Sequence, residues 1–248
     1  MTENEKNYDS IFDNRLLNFL KVNHDRYGMK VSMYCYYEEG DFNLTMVPDK
    51  YRWEFLENSD WLKFGFHYRN GEEPVTISGE KITEDYKILI SELIRITGCT
   101  CETIRLSYFR GSYEAVSALK EQGIYCLLTA DDDRKSYYFN DKINQYIAEN
   151  DIYFDESNGM NFVSTDIRLD NIEIEAVCPE LVKISKDFRQ NKIIAVFTHE
   201  WCIEESMFEK IENMCKFAEF YNYSFTFIDK NSKIEEAQNE YFRGIRVI

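Results

Sequence analysis

The feature that most constrains this chain is a regular exchange of β-rich and helix-periodic segments joined by very short connections. Ile11 to Tyr27 carries apolar residues at Ile11, Phe12, Leu16, Leu17, Phe19, Leu20 and Tyr27, a helical stripe stopped by Gly28. Val31 to Tyr37 predicts a strand, Asp49 to Glu57 a short helix, and Trp61 to His67 a buried strand. The stripe Ile82, Tyr86, Leu89, Leu93, Ile96 marks a helix over 82–97 closed by Gly98. Thr103 to Tyr108 then predicts a strand, Ser112 to Gln122 a helix before Gly123, and Tyr125 to Thr129 a strand. Asp151 to Phe154 and Phe162 to Arg168 read as strands paired around Ser157-Asn158-Gly159. A helix over Pro179 to Phe188, a strand over Ile193 to Thr198, a long helix over Glu204 to Tyr221 and a last strand over Phe225 to Ile228 complete the series.

Such alternation means parallel strands covered by helices, an α/β fold. One unbroken run of these units, without a proline- or glycine-rich linker, favours a closed or nearly closed barrel spanning residues 1–248 as a single domain. The chain opens on a helix, so a barrel built from these units is expected to lack its first strand. An edge left in this way can be completed by a partner chain, which leaves room for an oligomer.

Composition narrows the function classes. A 44% hydrophobic and 16% aromatic content supports a sizeable core. A formal net charge of -16 argues against nucleic acid and anionic membrane surfaces as partners. There is no apolar run of the ~18 residues needed to span a bilayer, and the opening MTENEKNYDS has no apolar signal core. The 7 cysteines include no CxxC pair and sit mostly inside apolar runs, so free thiols in a cytoplasmic protein are expected.

Of the 3 histidines, His67 and His199 both fall at predicted strand ends. In barrels and open α/β sheets that is where chemistry is placed. Glu38, Glu39 and Asp41 follow one strand and Asp131, Asp132 and Asp133 another, and both groups face the same rim. Each group could offer a carboxylate to a site with His67 and His199, and each reads first as solvated loop acids and helix caps. Arg105 lies within a strand and needs an acidic partner, for which Asp166 and Glu200 are candidates, while Arg168 reads as part of an ion pair.

The succession Phe64-Gly65-Phe66-His67, Ile104-Arg105-Leu106-Ser107-Tyr108 and Val196-Phe197-Thr198-His199-Glu200 resembles the polysaccharide deacetylase superfamily over roughly residues 11–228. The resemblance implies a distorted (β/α)7-type barrel. It also implies a divalent metal, usually zinc, that polarises an acetyl carbonyl and acidifies a water, with a carboxylate base and an imidazole acid. Carried over by position, His67 is the first histidine of a His-x3-His metal motif, Arg105 and Tyr108 belong to the arginine strand, and His199 with Glu200 supplies the acid. Tyr68 and Trp201, beside the two histidines, are expected to stack on sugar rings. The chain departs from the pattern at three places. Gly71 stands where the second histidine belongs, Ser107 replaces a proline, and the expected Asp-Asp pair is absent, Asp9 and Asp13 reading as a helix cap and first-turn acid. The implied activity is carbohydrate deacetylation with an incomplete metal site. The alternative is a non-catalytic carbohydrate-binding or interaction protein that retains the barrel. In either case the partner is a carbohydrate or another acetylated small molecule.

Overall fold

The computed structural model describes residues 8–71, 76–130, 136–186, 193–199 and 202–230, and the backbone of 246–247. In chain order the principal elements begin with α1 (Arg15–Tyr27), β1 (Val31–Tyr36), β2 (Glu38–Glu39), β3 (Phe42–Asn43), α2 (Arg52–Glu57) and β4 (Leu62–Tyr68). Next come α3 (Gly79–Thr97), β5 (Thr103–Ile104), α4 (Tyr113–Glu121), β6 (Cys126–Thr129), α5 (Asp141–Asn150), β7 (Ile152–Asp155) and β8 (Met160–Ser164). The chain continues through β9 (Ile167–Arg168), α6 (Val177–Lys186), β10 (Ile193–Ile194), β11 (Val196–Phe197), α7 (Glu205–Phe220), β12 (Ser224–Phe225) and β13 (Arg246–Val247).

The helices start and stop where local chemistry dictates. Asn14 and Ser78 cap α1 and α3 by accepting the Leu17 and Lys81 N–H groups at 3.1 and 3.2 Å. Gly28 and Gly98 end those helices at φ values of +71° and +81°, which a side chain would resist. Strand pairing is mainly parallel: β1 with β4, β5 with β6, β6 with β8, β9 with β11, and β10 and β12 on either side of β13. Two antiparallel hairpins, β2–β3 and β7–β8, are added to this frame. Phe66, Ile104, Leu127 and Phe162 of the strands pack under Ile82, Leu89 and Leu119 of α3 and α4. A second core joins Leu20, Trp61 and Leu62 to Leu181, Met207, Met214 and Phe217.

β1 pairs with β4 on one side and has no ladder partner on the other among the described residues. Leu16 and Leu20 of α1 and Ile211 and Met214 of α7 line the space beside it, and every residue of β1 is half-buried. Several expectations change in detail. The strand expected over 103–108 stops at Ile104, because Tyr108 and Phe109 both take φ +54° in a tight 3-10 turn. The segments 162–168 and 193–198 are each broken into two short strands, and the last strand begins at Ser224. α5 is an additional helix, capped by Asn140, whose apolar stripe buries only Ile147. None of the 7 cysteines forms a disulfide, and no described helix is long and apolar enough to cross a membrane.

Phe66 is completely buried, whereas Trp53 is 69% exposed. Phe66→Ala is expected to lower unfolding stability by ~3–5 kcal/mol. Trp53→Ala is expected to change it by less than ~0.5 kcal/mol. Urea unfolding midpoints of the two variants check this contrast.

Candidate functional site

The register between β1 and β4 slips after Cys35, which faces Phe66, so that Tyr36 faces Tyr68 and His67 is skipped. This irregularity at the strand end turns His67 inward, a frequent use of a bulge beside a site. His67 is 5% exposed, its ring lies 4.6 Å from that of Tyr36, and its Nδ1 is 2.5 Å from the Arg105 carbonyl oxygen. A carbonyl only accepts, so Nδ1 carries the proton and Nε2 presents its lone pair.

Arg105 directly follows β5 and is 9% exposed. Its guanidinium carbon lies 4.5 Å from the centre of the Phe109 ring and 4.9 Å from that of Phe197, a cation held between two π faces. The tight turn at Tyr108 and Phe109 brings the first of those rings into place, with the strain that two non-glycine residues at positive φ imply. One guanidinium nitrogen donates to His199 Nε2 at 3.3 Å. Nε of Arg105 has no hydrogen-bond partner, and no carboxylate pairs with the side chain among the described residues.

His199 follows β11 and is 7% exposed. Because Nε2 accepts from Arg105, Nδ1 carries the proton and donates to Asp170 Oδ2 at 3.2 Å. Asp170 also accepts from Arg168 Nε at 2.6 Å. Sequence reasoning had placed Arg168 in an ion pair but had not found this aspartate. It lies in the 3-10 turn Leu169–Asn171 after β9, and no motif spacing marks it. Asp166, a candidate partner for Arg105, instead accepts the Ala195 N–H at 2.8 Å.

These contacts fix the charge states. Burial, and then the Arg105 charge, push the His67 pKa down from 6.5 to about 3. His199 is lowered for the same two reasons, against the opposing pull of Asp170. Burial raises the Asp170 carboxyl, but hydrogen bonds from Arg168 and His199 outweigh it and hold it below the usual carboxylate range. The pocket therefore contains two neutral imidazoles around one buried cation.

The described rim acids do not complete a metal site. Glu38 pairs with Arg69 at 2.8 Å, and Arg69 also reaches Asp85 at 3.2 Å. The Glu39 carboxylate lies 3.4 Å from where a Cβ on Gly71 would stand, in the space a second histidine would enter. Among the described residues no three His, Cys, Asp or Glu side chains converge to hold an ion. A catalytic zinc takes three protein ligands, and His67 stands beside a guanidinium, so the described residues do not fit the metal that the resemblance implies.

His67, Arg105, Tyr108 and His199 line one cavity of about 730 Å³ together with Tyr36, Glu38, Glu39 and Gly71. Tyr108 is 58% exposed, at its mouth. Tyr68 does not join them: successive strand residues face opposite sides, so it follows Phe66 into the core under α3, edge-on to that ring. Glu200, Trp201 and Asp131 to Asp133 lie outside the described residues. His24 stacks on Trp61 and bonds the Met29 carbonyl, a structural role.

Comparison with known proteins identifies the fold. No family model matches the sequence, and no curated protein matches it. Among solved structures, a putative polysaccharide deacetylase from Mycobacterium smegmatis matches with a TM-score of 0.54 at 11% identity, over 80% of this chain and 70% of that one. A family 4 acetyl xylan esterase from Clostridium thermocellum, solved in complex with cobalt, gives 0.51 at 11% identity, over 86% and 82%. A CE4 family pseudoenzyme from Bacillus anthracis gives 0.51 at 9% identity over 95% of this chain, which spans 59% of that protein. The chain thus has the α/β-barrel-type fold of the polysaccharide deacetylases, a fold also used by a pseudoenzyme.

The His67 environment has a measurable consequence. Between pH 6.5 and about 3 the unfolded chain protonates this histidine and the folded chain does not, so stability falls as pH is lowered through that window. The slope is about 1.4 kcal/mol per pH unit where the difference is complete. Asp170 adds stability that is lost only as pH falls through its own depressed pKa. Urea unfolding of His67→Gln is expected to decline less steeply from pH 6.5 to 4 than the parent; equal slopes would show that His67 is not the source.

Proposed function

We propose that this protein is a carbohydrate deacetylase-like barrel that binds an acetylated saccharide at the rim of the cavity and does not hydrolyse it through a metal. One observation carries the reading: both rim imidazoles are committed to a single arginine. His67 is tied to the Arg105 carbonyl and His199 Nε2 to the Arg105 guanidinium. An acid catalyst must present a proton toward the leaving group, and here the protonated nitrogen of His199 faces Asp170 instead. Tyr36 and the exposed Tyr108 supply aromatic faces of the kind that sugar rings stack upon, and the buried polar groups between them can orient hydroxyl and carbonyl groups.

The Asp170–His199 pair favours a second reading. An imidazole oriented by a carboxylate can act as a general base once a ligand displaces Arg105 from Nε2, which would give slow acyl hydrolysis without a metal.

Calorimetric titration with acetylated chito- and xylo-oligomers, paired with acetate-release assays in zinc, cobalt and chelator, separates these outcomes. Saturable binding without acetate release is expected under all three conditions, with affinity roughly fivefold weaker in Tyr108→Ala, about 1 kcal/mol of lost ring contact. Chelator-resistant release abolished by His199→Ala would establish the second reading. Zinc-stimulated release abolished by His67→Ala would overturn both.

A further inference from the structure

The cavity does not end at the rim. Among the described residues it runs down past Met33 and Leu20 to Met29, Met214, Ile211 and Phe225, a largely apolar wall whose one charged neighbour, Lys30, lies over the Phe227 ring. All six residues of β1 line it. Adjacent strand residues point to opposite faces, so one cavity can touch all six only by passing around the unpaired edge of the strand. The space is thus a passage between β1, α1 and α7, polar at its mouth and apolar in its depth. Its volume of about 730 Å³ falls within the range of small-molecule sites. The thioethers of Met29, Met33 and Met214 make its wall adaptable to a flexible chain.

At the junction of the two parts sits Arg105, more than nine-tenths buried, with Nε unpartnered. No carboxylate among the described residues pairs with it, a buried cation is costly when unpaired, and a carboxylate is the strongest hydrogen-bonding complement of a guanidinium. We propose that the passage binds a long-chain carboxylate, its head group paired with Arg105 and its hydrocarbon chain lying between β1, α1 and α7. A monoanion is favoured over a phosphate ester because the mouth of the cavity is itself acidic. Arg168 is held by Asp170, and Glu38 and Glu39 line the mouth. The inference concerns the depth of the cavity and does not depend on a saccharide at its rim.

Titration of the full chain with dodecanoate below its micelle concentration tests this, with dodecanol and dodecyl phosphate as companions. One dodecanoate per chain is expected, with dodecanol at least tenfold weaker, and with affinity rising roughly threefold per methylene from octanoate upward. Arg105→Gln is expected to abolish the preference for dodecanoate over dodecanol while leaving dodecanol binding intact, which also reports that the variant is folded. Met33→Trp, which fills the passage, is expected to weaken all three ligands at least tenfold without lowering the unfolding midpoint by a comparable measure. The proposal fails if dodecanoate does not saturate, if Arg105→Gln keeps its preference, if Met33→Trp binds normally, or if dodecyl phosphate binds the parent more tightly than dodecanoate.

Discussion

A single buried guanidinium organises the strand ends of this barrel. Arg105 is held between the rings of Phe109 and Phe197, and its backbone and side chain each engage one of the two histidines. Everything else at the site follows from that desolvated charge. Burial, and then this charge, keep both imidazoles neutral, the Arg105 carbonyl and guanidinium fix their tautomers, and the charge opposes the approach of a metal cation to His67. The tight, positive-φ turn at Tyr108 and Phe109 is the local backbone that makes the arrangement fit, with Phe109 turned in over the charge and Tyr108 turned out to solvent.

The surrounding fold supplies two independent halves of the cavity. The polar half is built from strand C-terminal ends, where β1, β4, β5 and β11 finish. In the apolar half, side chains of α1 and α7 stand beside the edge of β1 that has no ladder partner among the described residues.

Much of this was legible in the sequence, and the exceptions have physical reasons. The helices over 82–97 and 112–122 carry strong stripes and explicit stops, and α3 and α4 lie there. α5 escaped because a helix that buries little beyond Ile147 needs few apolar residues. The strand expected through Tyr108 failed because β-rich composition does not register a turn imposed by packing around Arg105. His67, Arg105 and His199 were each picked out, and the structure brings them together. Tyr68 was misplaced by adjacency, since a neighbour on a strand faces the other way. Asp170 was invisible because its link to His199 exists only once β9 and β11 pair. At Gly71, where the resemblance expects a second histidine, a Cβ would meet the Glu39 carboxylate at 3.4 Å.

The central claim is that an arginine, and not a metal, ties the two histidines together. Anomalous diffraction at the cobalt edge, from crystals of the full chain soaked in cobalt at neutral pH, tests it directly. No anomalous peak is expected within bonding distance of His67 Nε2, with the Arg105 guanidinium still on His199. A peak bonded to His67 and two further side chains would contradict it.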